Sequence, residues 1–125
     1  MPQFFVPSAR SAEEAEQQYV WLQQLDDSVR PSPDDSVRPS PRVFRVWFRY
    51  NARAYVAEVG KEIAGWPQAG GTVFAIFETP QSISIHIQIE SGLISPPIRV
   101  PQEYVASRQF FEEPAPNAWA KLVAG

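Results

Sequence analysis

The sequence contains no cysteine. This absence excludes disulfides, thiolate nucleophiles and every zinc or iron-sulfur site that depends on cysteine ligands. The chain also has a single histidine, His86, which restricts the metal sites and the histidine-based catalysis that it can build. We therefore expect neither a metal nor a cofactor.

Long apolar runs and strong charge are absent too. No stretch approaches the ~20 consecutive apolar residues of a membrane-spanning helix, and the first residues lack the basic start and apolar run of a signal peptide. The formal net charge is only −3, so the global field favours neither a strongly acidic nor a strongly basic partner. We expect a cytoplasmic protein with no membrane partner, whose electrostatic functions are local.

Proline, in contrast, is abundant, with 13 in 125 residues, about twice the usual ~5%. Residues 26–33 and 34–41 form a perfect tandem repeat with the sequence DDSVRPSP. Because proline interrupts helices and strand ladders, we predict that residues 26–41 form an exposed loop. The repeated Arg-Pro-Ser-Pro has two interpretations, a docking or phosphorylation segment and a duplication without function that a tolerant loop accepts; we favour the second.

A helix is predicted to begin near residue 12 and to end before the repeat. Ser11 followed by Glu14 is a capping-box pattern, and further glutamates in the first turns suit the positive end of the helix dipole. Apolar residues recur at helical spacing: Ala12, Ala15, Tyr19, Leu22 and Leu25. One face of this helix should pack on a sheet.

From residue 42 the apolar period changes to two, which indicates a strand. Its predicted faces are Phe44, Val46, Phe48 and Tyr50 on one side, and Val43, Arg45, Trp47 and Arg49 on the other. A two-residue turn at Asn51-Ala52 should lead into a second strand over residues 53–59. The hydrophobic pattern selects a register with these pairs: Phe48 with Tyr55, Val46 with Ala57, Phe44 with Val59, and Arg45 with Glu58.

The rest of the chain predicts more antiparallel strands. Residues 72–79 are apolar on both faces, which is typical of a central strand covered on each side. Residues 82–90 alternate strictly between isoleucine and polar residues, and residues 98–100 and 104–111 complete the series. We predict an α+β fold over residues 1–113: one N-terminal helix packed on an antiparallel sheet of about five strands, with a Pro-rich helix-to-sheet loop. Residues 114–125 should form a C-terminal tail.

Several segments resemble a group of small, uncharacterised bacterial proteins. The likeness covers Phe5-Val6-Pro7 with the helix that follows, residues 49–61, residues 73–78, and the surroundings of Gly92 and Pro97-Ile98. Ala52 stands where that group has a turn glycine, and the group has one copy of the octapeptide. The resemblance implies a cytosolic single domain and carries no activity and no site residue.

His86 lies on the polar face of the isoleucine strand, next to Ser84. A base and nucleophile pair would need a direct hydrogen bond, but residues two apart on a strand are separated by ~6.5–7 Å. We therefore predict a solvated histidine. A metal site with Glu78 and Glu90 is the weaker alternative, since these residues have no recognised ligand spacing.

Arg45, Trp47 and Arg49 lie on one predicted strand face within an arginine-rich run. Guanidinium groups beside an exposed indole are typical of surfaces that bind single-stranded nucleic acid. Against this interpretation, Glu58 is predicted to lie opposite Arg45, and the protein is acidic overall.

The favoured function is a non-catalytic protein-interaction module that forms a homodimer. The chain has sixteen aromatic residues, and several large apolar residues lie in segments expected at the periphery. The predicted interface residues are Trp66, Trp119, Leu122 and Val123. The alternatives are nucleic-acid binding as above and a small-molecule or nucleotide pocket, with or without enzymatic activity, lined by Tyr55, Glu58 and His86.

Overall fold

A computed structural model describes residues 5–31, 37–66 and 70–112 of the chain. The elements are α1 (Ala12–Gln23), β1 (Ser40–Tyr50), β2 (Arg53–Glu58), β3 (Gly71–Glu78), β4 (Ser82–Ile89), β5 (Ile98–Pro101) and β6 (Val105–Phe110), with 3-10 turns at Asp27–Val29 and Gln102–Tyr104. One helix packs on a six-stranded antiparallel sheet, which confirms the predicted α+β class. Among the described residues, no helix has the length and apolar character needed to cross a membrane.

The helix begins where the capping box predicts. The Ser11 hydroxyl accepts the backbone N–H of Glu14 at 3.2 Å, which satisfies one of the free donors of the first turn. The Glu14 carboxylate accepts the N–H of Arg10 at 2.8 Å. In a standard capping box that carboxylate would accept the N–H of the cap residue itself. The variation ties the segment before the helix to its first turn.

The sheet is a curled half-barrel because β1 has three partners. Val43 lies opposite Ile76 of β3 on one edge and opposite Phe110 of β6 on the other. Farther along the first edge, β2 replaces β3 as the partner of β1. After β2, the chain moves onto β3, where the N–H of Gly60 donates to the carbonyl of Val73 at 2.7 Å. This change of partner bends the sheet around its inner face.

The hairpin of β1 and β2 has the predicted register. Arg45 lies opposite Glu58, Val46 opposite Ala57 and Phe48 opposite Tyr55. The turn residues have φ values of 50° at Asn51 and 64° at Ala52. Positive φ at both central positions is the geometry of a tight hairpin turn. Alanine adopts this backbone conformation at a cost in free energy.

Two apolar layers cover the two faces of β3 and β4. Ile83, Ile85 and Ile87 contribute to the inner face, together with apolar residues of β1, β2 and β3. On the opposite face, α1 packs over β3: Tyr19 contacts the edge of Phe77, with ring centroids 5.5 Å apart. The prediction that β3 is covered on both sides is confirmed, since residues 73–77 are all buried.

The strict alternation predicted for β1 is wrong at its start. Val43 is fully buried in the core, whereas Phe44 is half-buried and packs on Phe111. The pairing of β1 with β6 shifts register between Val43 and Arg45, and its pairing with β3 is also irregular before Val43. A bulge inserts an extra residue and changes which side chains point inward. The sequence pattern gives no sign of this shift.

The tandem repeat is less external than predicted. Residues 32–36 lie outside the described part of the chain, but the flanking residues are placed. In the first copy, Asp27–Val29 form a 3-10 turn and Pro31 is buried. In the second copy, Pro39 is buried and Ser40 already belongs to β1. The prediction that all of residues 26–41 form an exposed loop is therefore wrong at both ends. The predicted tail, residues 114–125, lies outside the described residues, as do Trp119, Leu122 and Val123.

Candidate functional site

Trp66 lies in the segment that connects β2 to β3, at one end of the half-barrel. Its N–H donates to the carbonyl of Ile63 at 3.1 Å, and Ile63 is buried in the core. Gly65 directly before it has a φ of 78°, a conformation that glycine adopts without strain. The turn brings the indole back over the sheet, where it packs against the core.

Trp66 completes a cluster of aromatic rings with β1 and β2. Its ring centroid lies 5.0 Å from that of Tyr55 and 5.2 Å from that of Tyr50. Phe48 stacks on Tyr55 with centroids 5.7 Å apart. Tyr55 is 8% exposed and Tyr50 38%. The cluster thus extends from the core to the surface, and we call it the aromatic mouth: Phe48, Tyr50, Tyr55 and Trp66.

Two small cavities adjoin the aromatic mouth, and Trp66 and Ile87 contribute to both. The first has a volume of about 170 Å³ and is lined by Glu62, Ile63, Ala64, Gly65, Gly70 and Gly71 in addition to the shared pair. The second, also of about 170 Å³, is lined by Tyr50, Asn51, Tyr55, Ser95, Pro96 and Ile98 in addition to that pair. Apolar walls with a few polar groups at the rim are the usual composition of a ligand site.

The described lining residues of both cavities include no lysine and no arginine. Glu62 contributes a carboxylate to the first cavity. Glu90 lies beside the same cavity, since its side-chain carbon Cγ would be 3.5 Å from a Cβ placed on Gly70. Both glutamates are exposed and form no ion pair with any described residue. Glu62 and Glu90 therefore place negative charge beside the first cavity, whereas the exposed Arg53 lies opposite Tyr50, which lines the second cavity.

His86 is not solvated, and the prediction was wrong. Its exposed fraction is 0%, and it packs edge-on against Phe74 and Phe77, with centroids 6.1 and 5.1 Å away. Burial, reinforced by the positive charge of Arg99, lowers the pKa of His86 to about 3. The sequence pattern identified the face correctly as polar, but it could not show that this face is covered.

The predicted separation of His86 and Ser84 was wrong as well. His86 Nε2 lies 3.3 Å from the Ser84 hydroxyl, within reach of a hydrogen bond. The spacing along a strand describes the backbone, whereas the imidazole leans toward its neighbour. Ser84 is only 1% exposed, so this pair has no access to a substrate. The two side chains are buried and neutral, and they are part of the packing of the sheet.

Arg45 and Glu58 form the predicted cross-strand pair on the outer face. Arg45 Nε donates to the Glu58 carboxylate at 2.6 Å, and a second guanidinium nitrogen contacts the same oxygen. Lys61 Nζ lies 3.1 Å from the other carboxylate oxygen. Burial alone would raise the pKa of Glu58, but the hydrogen bonds and positive charges of Lys61 and Arg45 outweigh it, and the pKa is lowered. Glu58 is therefore held as a carboxylate that neutralises Arg45.

Trp47 lies on the same outer face, half-buried and opposite Val56. The Arg45 guanidinium is 5.6 Å from the Trp47 ring centroid, a cation–π distance. Arg49 is exposed and forms no ion pair with any described residue. The three residues do share one side of β1, but only Arg49 retains an unpaired charge there.

The predicted pocket of Tyr55, Glu58 and His86 is not assembled. Tyr55 lies on the inner face, Glu58 on the outer face of the hairpin, and His86 on β4, buried against Phe77. Sequence reasoning did find Tyr55 and Trp66, but it placed them in different sites. The residues that it missed are Tyr50, Asn51, Ile87, Ser95 and Pro96. Their one available signal was the presence of turn residues after β1 and after β4.

A more open groove, of about 460 Å³, lies between α1 and the segment before it. Its lining includes Val6, Pro7 and Trp21 together with Arg10 and Glu14. Because its rim carries charges of both signs, the groove does not indicate one class of ligand. We therefore take the aromatic mouth as the candidate site.

No group of three or more potential ligands for a metal ion occurs within residues 5–31, 37–66 and 70–112. Comparison of the chain with protein-family models, with curated proteins and with solved structures finds no significant match. Function is therefore inferred from the geometry of the site.

Proposed function

We propose that the protein is a non-catalytic binding module whose ligand site is the aromatic mouth. The observation that supports this proposal is the position of Trp66, which packs on Tyr50 and Tyr55 and adjoins a cavity on each side. Half-open barrels bind ligands at their mouths because inward-facing side chains leave space there. Aromatic residues at such a site supply contact area at low cost in side-chain entropy.

The non-catalytic part of the proposal is supported by the position of the titratable groups. Nucleophilic catalysis needs a base beside an accessible nucleophile. The pair of this type in the described residues, Ser84 and His86, is buried in the sheet and out of reach of a substrate. The second cavity contributes tyrosine, asparagine and serine side chains, and its described lining residues include no histidine and no carboxylate.

The test is ligand-observed NMR of the full chain against a fragment library, with hits repeated on Trp66→Leu. Binding that disappears in Trp66→Leu supports the proposal, because that variant removes the ring that both cavities share. Trp47→Leu is the matched control, since it changes a tryptophan on the outer face of the sheet. If no fragment binds, or if binding survives in Trp66→Leu and is lost in Trp47→Leu, the aromatic mouth is not the site.

Self-association is a second proposed function, favoured by a different surface. Trp47 and Val56 lie side by side on the outer face, and Val56 is 43% exposed. Adjacent apolar side chains on an exposed sheet face are typical of interfaces. We expect light scattering to give the mass of a dimer, and we expect a double variant, Trp47→Ser with Val56→Ser, to give that of a monomer. A monomeric wild type would remove this proposal and leave the aromatic mouth unaffected.

Binding of single-stranded nucleic acid through Arg45, Trp47 and Arg49 is less well supported. Arg45 is held by Glu58, so its charge is largely neutralised before any phosphate arrives. Such surfaces depend on unpaired cations that release counterions on binding. A titration of the wild type with a single-stranded oligonucleotide at low salt tests this alternative directly.

A further inference from the structure

We propose that the ligand of the aromatic mouth is a small organic cation, with an alkylammonium or quaternary ammonium head group. The inference deepens the proposed function and rests on it. Three features of the site support this class of ligand: the faces of its rings, the charge around it and its size.

The rings provide electron-rich surfaces in a place that solvent can reach. Trp66 is half-buried and Tyr50 is 38% exposed, and both line the second cavity together with Tyr55. A cation within ~6 Å of a tryptophan or tyrosine ring is attracted to the negative face of the ring. Several such rings meeting at one cavity are the arrangement that recognises quaternary ammonium groups.

The charge beside the first cavity favours a cation over an anion. Glu62 lines the first cavity and Glu90 lies beside it, and neither pairs with a cation among the described residues. Lys61 is bound to Glu58 on the outer face, and the exposed Arg53 lies opposite Tyr50 at the second cavity. In the first cavity, whose described lining residues include no lysine and no arginine, a phosphate or carboxylate ligand would meet these carboxylates without a compensating positive group. A cation would gain from them, more strongly at low ionic strength.

The volume of each cavity limits the ligand to a small head group. Each cavity has a volume of about 170 Å³, well below the ~300–1,000 Å³ of pockets that enclose drug-sized ligands. Ile87 forms part of both cavities, so the interior wall of the site is apolar. A compact cation that carries methyl groups matches both properties, since the methyl groups share the positive charge and can contact the apolar wall as well as the rings.

The experiment compares choline with 3,3-dimethylbutan-1-ol, which has the same shape and no charge. Binding of each to the full chain is measured by calorimetry and by ligand-observed NMR at low salt. Because a cation–π contact at an exposed site corresponds to about a two- to fivefold change in affinity, we expect choline to bind at least about threefold more tightly. Phosphocholine, which adds an anionic group, should bind more weakly than choline.

Substitutions at the site test whether the preference for the cation over the neutral alcohol arises there. We expect the double variant Glu62→Gln with Glu90→Gln to weaken choline binding about two- to fivefold and to leave the neutral alcohol unchanged. Both glutamates are exposed, so this variant should fold even where Trp66→Leu does not. Trp47→Leu should bind both probes like the wild type.

The outcomes separate the two proposals. Equal or tighter binding of the neutral alcohol overturns the cation inference and leaves the binding site in place. Binding of fragments but of neither probe overturns the cation inference in the same way. Failure of every probe and every fragment removes the proposed function together with its ligand class.

Discussion

Lowering the pH from 7.5 to 5 should destabilise the protein through His86 alone. The imidazole is fully buried and its pKa is about 3 in the folded state, whereas an unfolded chain has a histidine pKa of ~6.5. Between these values the unfolded state binds a proton that the folded state excludes. The free energy of unfolding therefore falls as the pH falls below ~6.5.

The size of this loss in the free energy of unfolding follows from the interval between the two pKa values of His86. Each pH unit between the two pKa values corresponds to about 1.4 kcal/mol, so the loss at pH 5 is about 2 kcal/mol. His86 is the only histidine in the chain, so no other histidine contributes. The carboxylates of Glu58 and Glu112 have lowered pKa values, and their contribution is lost only at lower pH.

The assay is urea denaturation at pH 7.5, 6 and 5 at constant ionic strength, followed by circular dichroism. His86→Gln is the matched variant, because glutamine is polar, similar in size and uncharged at every pH. We expect the variant to lose about 2 kcal/mol less than the wild type between pH 7.5 and pH 5. Equal losses in the two proteins would refute the reasoning, and so would an imidazole NMR signal that titrates with a pKa near 6.5.

Three further substitutions test the fold and the hairpin. Ala52→Gly should raise the free energy of unfolding by about 0.5–1 kcal/mol, because glycine accepts the φ of 64° without strain. Gly71→Ala should lower it by about 1–3 kcal/mol, because the added methyl group would overlap the side chain of Ile87. Arg45→Ala should lower it by about 1–2 kcal/mol, because Glu58 would keep its charge in a partly buried place without its main partner. All three are measured by urea denaturation at pH 7.5.

Controls distinguish these effects from general damage. Ala54→Gly, in the strand next to the turn, should destabilise the protein, opposite in sign to Ala52→Gly. The double variant Arg45→Ala with Glu58→Ala should recover part of the loss of the single variant. The explanation of a substitution would be contradicted if Ala52→Gly lowered the free energy of unfolding, or if Gly71→Ala or Arg45→Ala left it unchanged.

The sequence predicted the parts of the fold that depend on local pattern. Ser11 and Glu14 identified the start of α1, and the cross-strand pairing of Arg45 with Glu58 followed from alternation and a two-residue turn. These features involve residues close together in the chain. The hydrophobic period and turn chemistry therefore contain the information that they need.

What the sequence could not predict depends on contacts between distant segments. The polar face of β4 looks solvated by its composition, yet His86 on that face is fully buried against Phe74 and Phe77 of β3. Gln88 on the same face is buried too, and its amide oxygen accepts the N–H of Val6 at 2.6 Å. A period of two shows which residues share a face, but it does not show what covers that face.

The candidate site escaped sequence analysis for a related reason. Trp66 belongs to a connecting segment without periodicity, and its partners Tyr50 and Tyr55 lie on either side of the hairpin turn. Only the return of the segment after Gly65 brings the three rings together. Sites of this kind are built by loops on a rigid scaffold, so local pattern identifies the scaffold and not the site.

The two octapeptides also bear on how the gene can change. Because they are identical, loss of either one from the coding region yields the same shortened polypeptide. That product would retain one Asp-Asp-Ser-Val-Arg-Pro-Ser-Pro, which would have to follow the helix and also lead into the first strand. At present the first copy follows the helix and contains the buried Pro31, whereas the second leads into the strand and contains the buried Pro39. We therefore expect the loss of one octapeptide to alter packing at both ends of the connection.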